Sequence, residues 1–241
     1  MTDIASLEKE ASELVEIAKR SGAEACDVVV ASGDSLSVSV RDGNVETSNR
    51  AENNSLSLRV MIGKKVASVN SNTRQNPQTL AERAVAMARV SPEDPFQGLA
   101  DPSLIATQEA ISEGLSALDL VDRKQSDASQ LETMALEAET SGLAVEGVSK
   151  SMGSGASWGR TGFVLATSDG FSGSYERSGY SVYASMVAGV GTGMERDYDF
   201  DSATHLEDLK SATEIGESAG QRVAKRVGPR QVKSGVYPII F

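Results

Sequence analysis

"SLSVSVRDGNVETSNRAENNSLSLRVMIGKKVASVN", residues 35–70, decides the fold. Leu36, Val38 and Val40 alternate with serines, as side chains do along a strand with one buried face. Asp42-Gly43-Asn44 then supplies hairpin-turn residues. Leu56, Leu58, Val60 and Ile62 resume the alternation, "GKK" turns the chain, and "VASVN" returns. The pattern predicts an antiparallel meander.

Helices are expected on both sides of it. Ile4, Leu7, Ala11, Leu14, Val15 and Ala18 recur at spacings of three and four, and Ser21-Gly22 ends that period. The continuous apolar run "CDVVVA" follows as a strand, and a helix is predicted from about Pro77 to Val90, with proline at its first position. "SPEDPFQGLADPS", residues 91–103, has three prolines and no period, so it reads as an extended connector. Beyond it the order repeats. A helix carries Leu131, Met134, Ala135 and Ala138 and ends at Ser141-Gly142; strands run through "VEGVSKSMGSGASWGRTGFVLAT" to a turn at Ser168-Asp169-Gly170; further strands include "YSVYASMVAGV". A long helix is expected from about His205 to Val227.

A constant shift of 127 residues carries Asp42-Gly43 onto Asp169-Gly170, Arg50 onto Arg177, Val60 onto Val187 and Pro77 onto Thr204. Identity is sparse, so the match raises a structural repeat without establishing it. The fold class expected is α+β: two helix–antiparallel meander–helix units, at about 1–92 and 126–241 with a connector at about 93–125, packed as one domain. In "VKSGVYPIIF", residues 232–241, Gly235 reads as a helix C-cap and Val236 to Phe241 as a buried strand entered through Pro238. An apolar strand at that position implies that the chain is a fragment.

Composition narrows the function. A chain that is 39% hydrophobic and 24% charged can bury a core and is not disordered. A net charge of −11 with no basic stripe opposes nucleic-acid binding, which needs clustered Lys and Arg. No apolar run is long enough to span a bilayer, and "MTDIASLEKEASELVEIAKR" is too charged for a signal peptide, so a cytoplasmic location without membrane partners is expected. Cys26, the single cysteine, beside "DVVV", reads as a small core residue in a reducing compartment.

Four patterns touch on chemistry. Gly155-Ala156-Ser157-Trp158-Gly159 matches the G-x-S-x-G nucleophile pattern, but "RTGFVLATS" after it is strand-like, whereas a nucleophile elbow needs strand, turn and helix. Glu195, Asp197, Asp199 and Asp201 stand at period two, so an extended chain puts four carboxylates on one face and Arg196, Tyr198 and Phe200 on the other. That face could hold a hard cation, or be a solvated strand edge leading to a helix N-terminus. His205 is the only histidine; with one His and one Cys and no ligand spacing it makes no zinc site, and it is expected to be exposed in a first helical turn. The glycine-rich "GVGTG" and "GSGASWG" lack a following G-K-[ST] or clear helix. No catalytic, cofactor-binding or metal-ligating residue is assigned.

Several stretches together carry a resemblance: "VRDGNVETSNRAENNSLSLRVMIGKKVASVNSN", "LATSDGFSGSYERSGYSVYASMVAG", "RDYDFDSATHLEDL" and "IGESAGQRVAKRVGPRQVKSGVYPIIF". In this order they resemble the TldD/PmbA family, also called modulators of DNA gyrase, and its PmbA (TldE) branch in particular. The resemblance implies proteins of roughly twice this length, of which residues 1–241 would be the N-terminal α+β domain of a larger two-domain protein, the separate C-terminal domain being absent from this chain. In the TldD branch a zinc-binding H-E-x-x-x-H helix follows soon after the strand matching "GVYPIIF", so none of the family's zinc ligands carries over to a residue here. PmbA-like subunits lack the zinc motif. The resemblance therefore implies a noncatalytic subunit, inactive alone, that partners a zinc-bearing TldD-like peptidase subunit as a heterodimer, or itself as a homodimer, and acts on peptide or unfolded protein substrates. Two rival readings remain: a homo-oligomeric binding module without peptidase partnership, and a serine hydrolase using Ser157.

Overall fold

A computed structural model describes residues 3–73 and 76–240. The elements run α1 (Ile4–Arg20), β1 (Ala25–Arg41), β2 (Asn44–Ile62), β3 (Lys65–Ser71), α2 (Pro77–Val90), α3 (Gln108–Leu118), α4 (Ala128–Leu143), β4 (Val148–Thr167), β5 (Ser172–Ala188), β6 (Glu195–Ala203) and α5 (Ala212–Ala224). Short 3-10 turns at Pro102–Leu104, Gly191–Gly193 and Leu206–Asp208 join them. All six strands form one antiparallel sheet in the order β3-β2-β1-β4-β5-β6. The chain thus traces helix, three-strand meander and helix twice, and the α+β reading holds.

The two units meet strand against strand. β1 pairs with β4 from Asp27–Thr167 to Val40–Ser154 without a register shift. The shift of 127 residues suggested by the turns also carries β1 onto β4 and β2 onto β5, so an approximate two-fold axis crosses the sheet between the Gly33–Thr161 and Asp34–Arg160 pairs.

Parity decides where the core lies. In β1 the buried residues Cys26, Val28 and Val30 at one end and Val38 and Val40 at the other are all even, and even residues of β1 pair with even residues of β4. Because side chains alternate across a strand, all four principal helices lie on one face. Leu7, Ala11, Leu14 and Val15 of α1, with Ala81, Ala84 and Val85 of α2, cover Val28, Val30, Leu58, Val60 and also Val164 of β4. At the other end Ala138 of α4 and Ile215, Ala219 and Val223 of α5 cover Val182, Ala184 and Met186. A third cluster joins Leu131 of α4 to Val38 of β1, with Ala156, Trp158 and Tyr180. Each unit's first helix therefore also packs on the other unit's central strand.

The contact between units includes a buried acid. Glu139 of α4 is 2% exposed, and its carboxylate accepts from the backbone N–H of Asp42 (3.1 Å) and of Gly43 (2.8 Å) at the β1–β2 turn. Asp42 (φ 52°) and Gly43 (φ 73°) both adopt the left-handed region, the geometry of a tight I′ hairpin. In the second unit α4 and α5 approach closely through small residues: a Cβ added to Gly216 would stand 2.1 Å from the Ala138 carbonyl oxygen.

Several expectations need correction. "CDVVVA" and "SLSVSV" are parts of one continuous strand, and β2 extends through residues 44–55, where no alternation is visible. The connector contains α3, which buries none of its residues. The last helix begins at Ala212, not near His205, because β6 continues to Ala203 against β5 and a Ser211/Glu214 capping box then starts α5. Residues 236–240 form no strand: Val236 and Ile240 are fully exposed, and Gly235 caps no helix, since α5 ends eleven residues earlier, at Ala224. An extended segment becomes a strand only with a neighbour to accept its backbone hydrogen bonds; Phe241, the end of that predicted strand, lies outside the described residues.

Two stability outcomes follow from these contacts. Glu139→Ala removes an anionic acceptor shared by two backbone donors, and should lower unfolding free energy by about 2 kcal/mol. Gly216→Ala forces a methyl group into a backbone carbonyl, and should cost about 1–3 kcal/mol. Urea unfolding measures both, and unchanged midpoints would reject these contacts.

Candidate functional site

Between the two helix pairs the covered face of the sheet is left open, and there the axis crosses a cavity of about 740 Å³. Its floor is Asp34 and Leu36 of β1 with Trp158 and Arg160 of β4; Arg50 of β2 forms one wall, and Gln125 to Ala128, leading into α4, form the other. These residues converge because β1 and β4 bring both units' midpoints together; α4 covers part of the floor, its Leu131 sharing a cluster with Trp158 and Leu36, and the rest stays open.

The walls are polar and incompletely satisfied. Arg160 donates through Nη2 to Glu176 Oε2 at 2.7 Å, while its Nε and Glu176 Oε1 have no partner among the described residues. Ser126, 5% exposed, also leaves its hydroxyl without one. The Arg50 guanidinium makes no hydrogen bond or ion pair among the described residues. Asp127 is committed to α4, where its carboxylate accepts from Gln130 N at 2.8 Å in a capping box.

A polar clasp beside the cavity holds the end of the connector. The Asp122 backbone N–H donates to Ser178 Oγ, and Ser178 Oγ donates to the Thr204 carbonyl. The Asp122 carboxylate accepts from Leu206 N and Lys124 N; burial works against its charge, yet these amides hold its pKa below the usual carboxylate range. Tyr180 donates to the Lys124 carbonyl, and burial together with Asp122 pushes its phenol up to about 12. His205 Nε2 sits 2.7 Å from the Asp119 carbonyl oxygen; that hydrogen bond raises its pKa, helped by Asp119, Asp122 and Asp208.

The other residues singled out from sequence lie elsewhere. Ser157 is in the middle of β4 on the uncovered face, bonded to Ser181 Oγ at 2.9 Å. No turn or helix follows it, and His205 is engaged with Asp119, so the hydrolase arrangement is not formed. The period-two acids do share a face, and α5 neutralises it. Arg226 Nε meets Asp197 Oδ2 at 2.5 Å, Arg222 Nη1 meets Asp199 Oδ1 at 3.0 Å, and Asp201 accepts from Lys210 N. Despite burial, Tyr198 N and the Arg226 guanidinium hold Asp197 low. His205 is half-buried ahead of a 3-10 turn, not exposed in a helix. Cys26 is buried beneath α1, and burial pushes its thiol up to about 11. Sequence reasoning missed the cavity; Arg50 and Arg160 carried no local signal.

Residues 26–88 match the family model described as PmbA/TldA metallopeptidase domain 1, and residues 117–227 match that described as PmbA/TldA metallopeptidase central domain. The chain belongs to the PmbA/TldD family. It is 30% identical over 230 residues to a metalloprotease PmbA homolog of Haemophilus influenzae, covering 94% of this chain and 49% of that protein. A PmbA homolog of Buchnera aphidicola is 25% identical over 209 residues, covering 86% of this chain and 46% of its own. The chain spans about half the length of these curated relatives. Two solved structures share the fold. One, from Bacteroides thetaiotaomicron and described as a modulator of DNA gyrase, has a TM-score of 0.82 at 24% identity, covering 95% of this chain and 52% of that one. TldE from Thermococcus kodakarensis has 0.69 at 16%, covering 89% and 47%.

The family's metallopeptidase name implies a metal, and the residues described here do not fit one. Among them no three His, Cys, Asp or Glu side chains cluster as ligands; His205 is engaged with Asp119, the Cys26 thiol is held protonated in the core, and Asp197 and Asp199 are paired with arginines. No helix among the described residues is long and apolar enough to cross a membrane.

His205 supplies a pH signature. Its folded pKa is raised above the ordinary 6.5, so its contribution to stability is full below that value and is lost as pH rises through the folded pKa. The stability advantage of the unmodified chain over His205→Ala should be larger at about pH 5 than at about pH 8. Urea midpoints of both proteins across that range measure it; a constant difference would contradict the assignment.

Proposed function

We propose that this chain is the N-terminal part of a PmbA/TldE-like subunit of a zinc metallopeptidase complex, contributing scaffold and not metal ligands. The observation that carries this reading is the 30% identity to a PmbA homolog over 94% of the chain. The commitments of His205, Cys26 and the β6 acids to structural partners agree with it.

The sheet suits a scaffold. Residues 41–55 are exposed throughout, and the stretch of β2 from Asn44 to Ser55 pairs with β1 but not with β3. Such an edge can take an extended polypeptide or a partner's strand through backbone hydrogen bonds, with no demand for a catalytic side chain. The partner would be a zinc-bearing TldD-like subunit in a heterodimer, or a second copy in a homodimer, and the substrate a peptide or unfolded protein. A net charge of −11 favours this over nucleic acid, and a cytoplasmic, membrane-free setting belongs to the same reading.

The test is cleavage of an unfolded protein by this chain, by a TldD-like subunit and by the two together, with and without a chelator. The chain alone should be inactive, and its addition should alter chelator-sensitive cleavage by the zinc-bearing subunit. Chelator-sensitive cleavage by the purified chain alone would overturn the reading.

A further inference from the structure

We propose that residues 98–119, which include α3, form a displaceable strap across the free edge of β5, latched at its far end by His205 against Asp119. The regulation of partner access that follows rests on the scaffold reading above; the displacement itself does not. The shift of 127 residues carries β2 onto β5, so residues 172–179 correspond to residues 45–52. Both stretches pair on one side only, since β3 joins β2 from Leu56 onward and β6 joins β5 from Tyr180 onward. Along β2 the stretch is exposed throughout. Along β5 the connector runs beside it: Gln108 Nε2 donates to the Ser172 carbonyl at 2.6 Å, and Ser178 N donates to the Leu120 carbonyl at 3.0 Å.

The strap bridges this edge without filling it. Between its two ties a cavity of about 420 Å³ separates Leu115, Leu120 and Val121 from Tyr175 and Glu176. The backbone of Ser174 and Glu176, which by alternation points the same way as that of Ser172 and Ser178, receives no hydrogen bond from the connector among the described residues. The hold is slight. α3 buries none of its residues, and from residue 98 to residue 118 Gln108 makes the only hydrogen bond to the rest of the fold among the described residues. The far end is firm, because Asp122 is buried and fixed by Ser178, Leu206 and Lys124. Asp119 stands between the two with a left-handed φ of 44°, a conformation that costs a non-glycine residue some energy, and so marks the hinge.

His205 grips that hinge, its Nε2 lying 2.7 Å from the Asp119 carbonyl oxygen and 3.4 Å from the Asp119 carboxylate. The other ionisable groups around it are Asp122 and Lys124 of the connector, Glu207 and Asp208 of its own turn, and Glu176 and Tyr180 of β5. Lys124 is paired with Glu207 and Glu176 with Arg160, and Tyr180 stays neutral, so the attraction that titrates is that of the imidazolium for Asp119, Asp122 and Asp208. It is full below the ordinary histidine value and is lost as pH rises through the raised folded pKa, so the strap loosens in that direction. With the strap aside, β5 offers backbone donors and acceptors from Ser172 to Glu176 as β2 does permanently. The sheet then has one constant edge and one gated edge.

Spin labels on Glu113→Cys in α3 and Glu217→Cys in α5, both exposed positions, report the distance between strap and body by double electron–electron resonance. Cys26 stays unlabelled, being buried with its thiol pushed up to about 11. Two distance populations are expected, the displaced one roughly two- to fivefold larger at pH 8 than at pH 6. Gln108→Ala should enlarge the displaced population at both pH values, and His205→Gln should remove the pH dependence. A single distance at both pH values, indifference to Gln108→Ala, or an unchanged pH response in His205→Gln would each overturn the strap. Such a failure would leave the scaffold reading standing, because that reading is judged by chelator-sensitive cleavage.

Discussion

The ladder between β1 and β4 is the constraint on which the rest of the molecule depends. Neither unit can complete its core without it: Val164 and Ala166 of β4 lie under α1, and Val38 of β1 lies under α4. A single strand passes under both helix pairs and cannot slip, because a one-residue shift would turn every buried valine to the uncovered face. Glu139 reinforces the same seam from the helical side by holding the β1–β2 turn of the first unit from a helix of the second.

The functional architecture follows from that seam. Both helix pairs are forced onto one face, so the other face and the β2 edge remain available for contact, and the gap between the pairs becomes the cavity. The cavity therefore sits where the two halves of the chain are joined, and its lining comes from β1, β2, β4 and the approach to α4. Internal symmetry explains its position, and the departure from symmetry explains its chemistry. The shift that relates the units places Gly33 where Arg160 stands in the second unit, and Arg177 where Arg50 stands in the first.

What the sequence made legible was whatever local chemistry decides. Asp42-Gly43, Ser21-Gly22 and Pro77 mark real boundaries because positive φ, a helix end and a helix start are set by the residues themselves. Alternation revealed residues 56–62 but was silent over 44–55, since a strand exposed on both faces has no reason to alternate. "CDVVVA" and "SLSVSV" read as separate strands, yet Gly33 between them fits against Arg160 and Thr161 of the neighbouring strand and the ladder continues through it. The apolar "VYPII" was mistaken for a strand because hydrophobicity is intrinsic to the residues, whereas pairing is not. The cavity left no motif, its residues being drawn from four separate segments, whereas Ser157 and the β6 acids formed motifs whose side chains serve structure.

The central claim is that two repeated units fold as one cooperative body through β1 and β4. Native-state hydrogen exchange across a denaturant series tests it most directly. The amides of Val28 and Val30 in the first core and of Val182 and Ala184 in the second should converge on one global opening, with the same free energy and the same denaturant dependence. Two separate openings, with one core still protected after the other has exchanged, would contradict it.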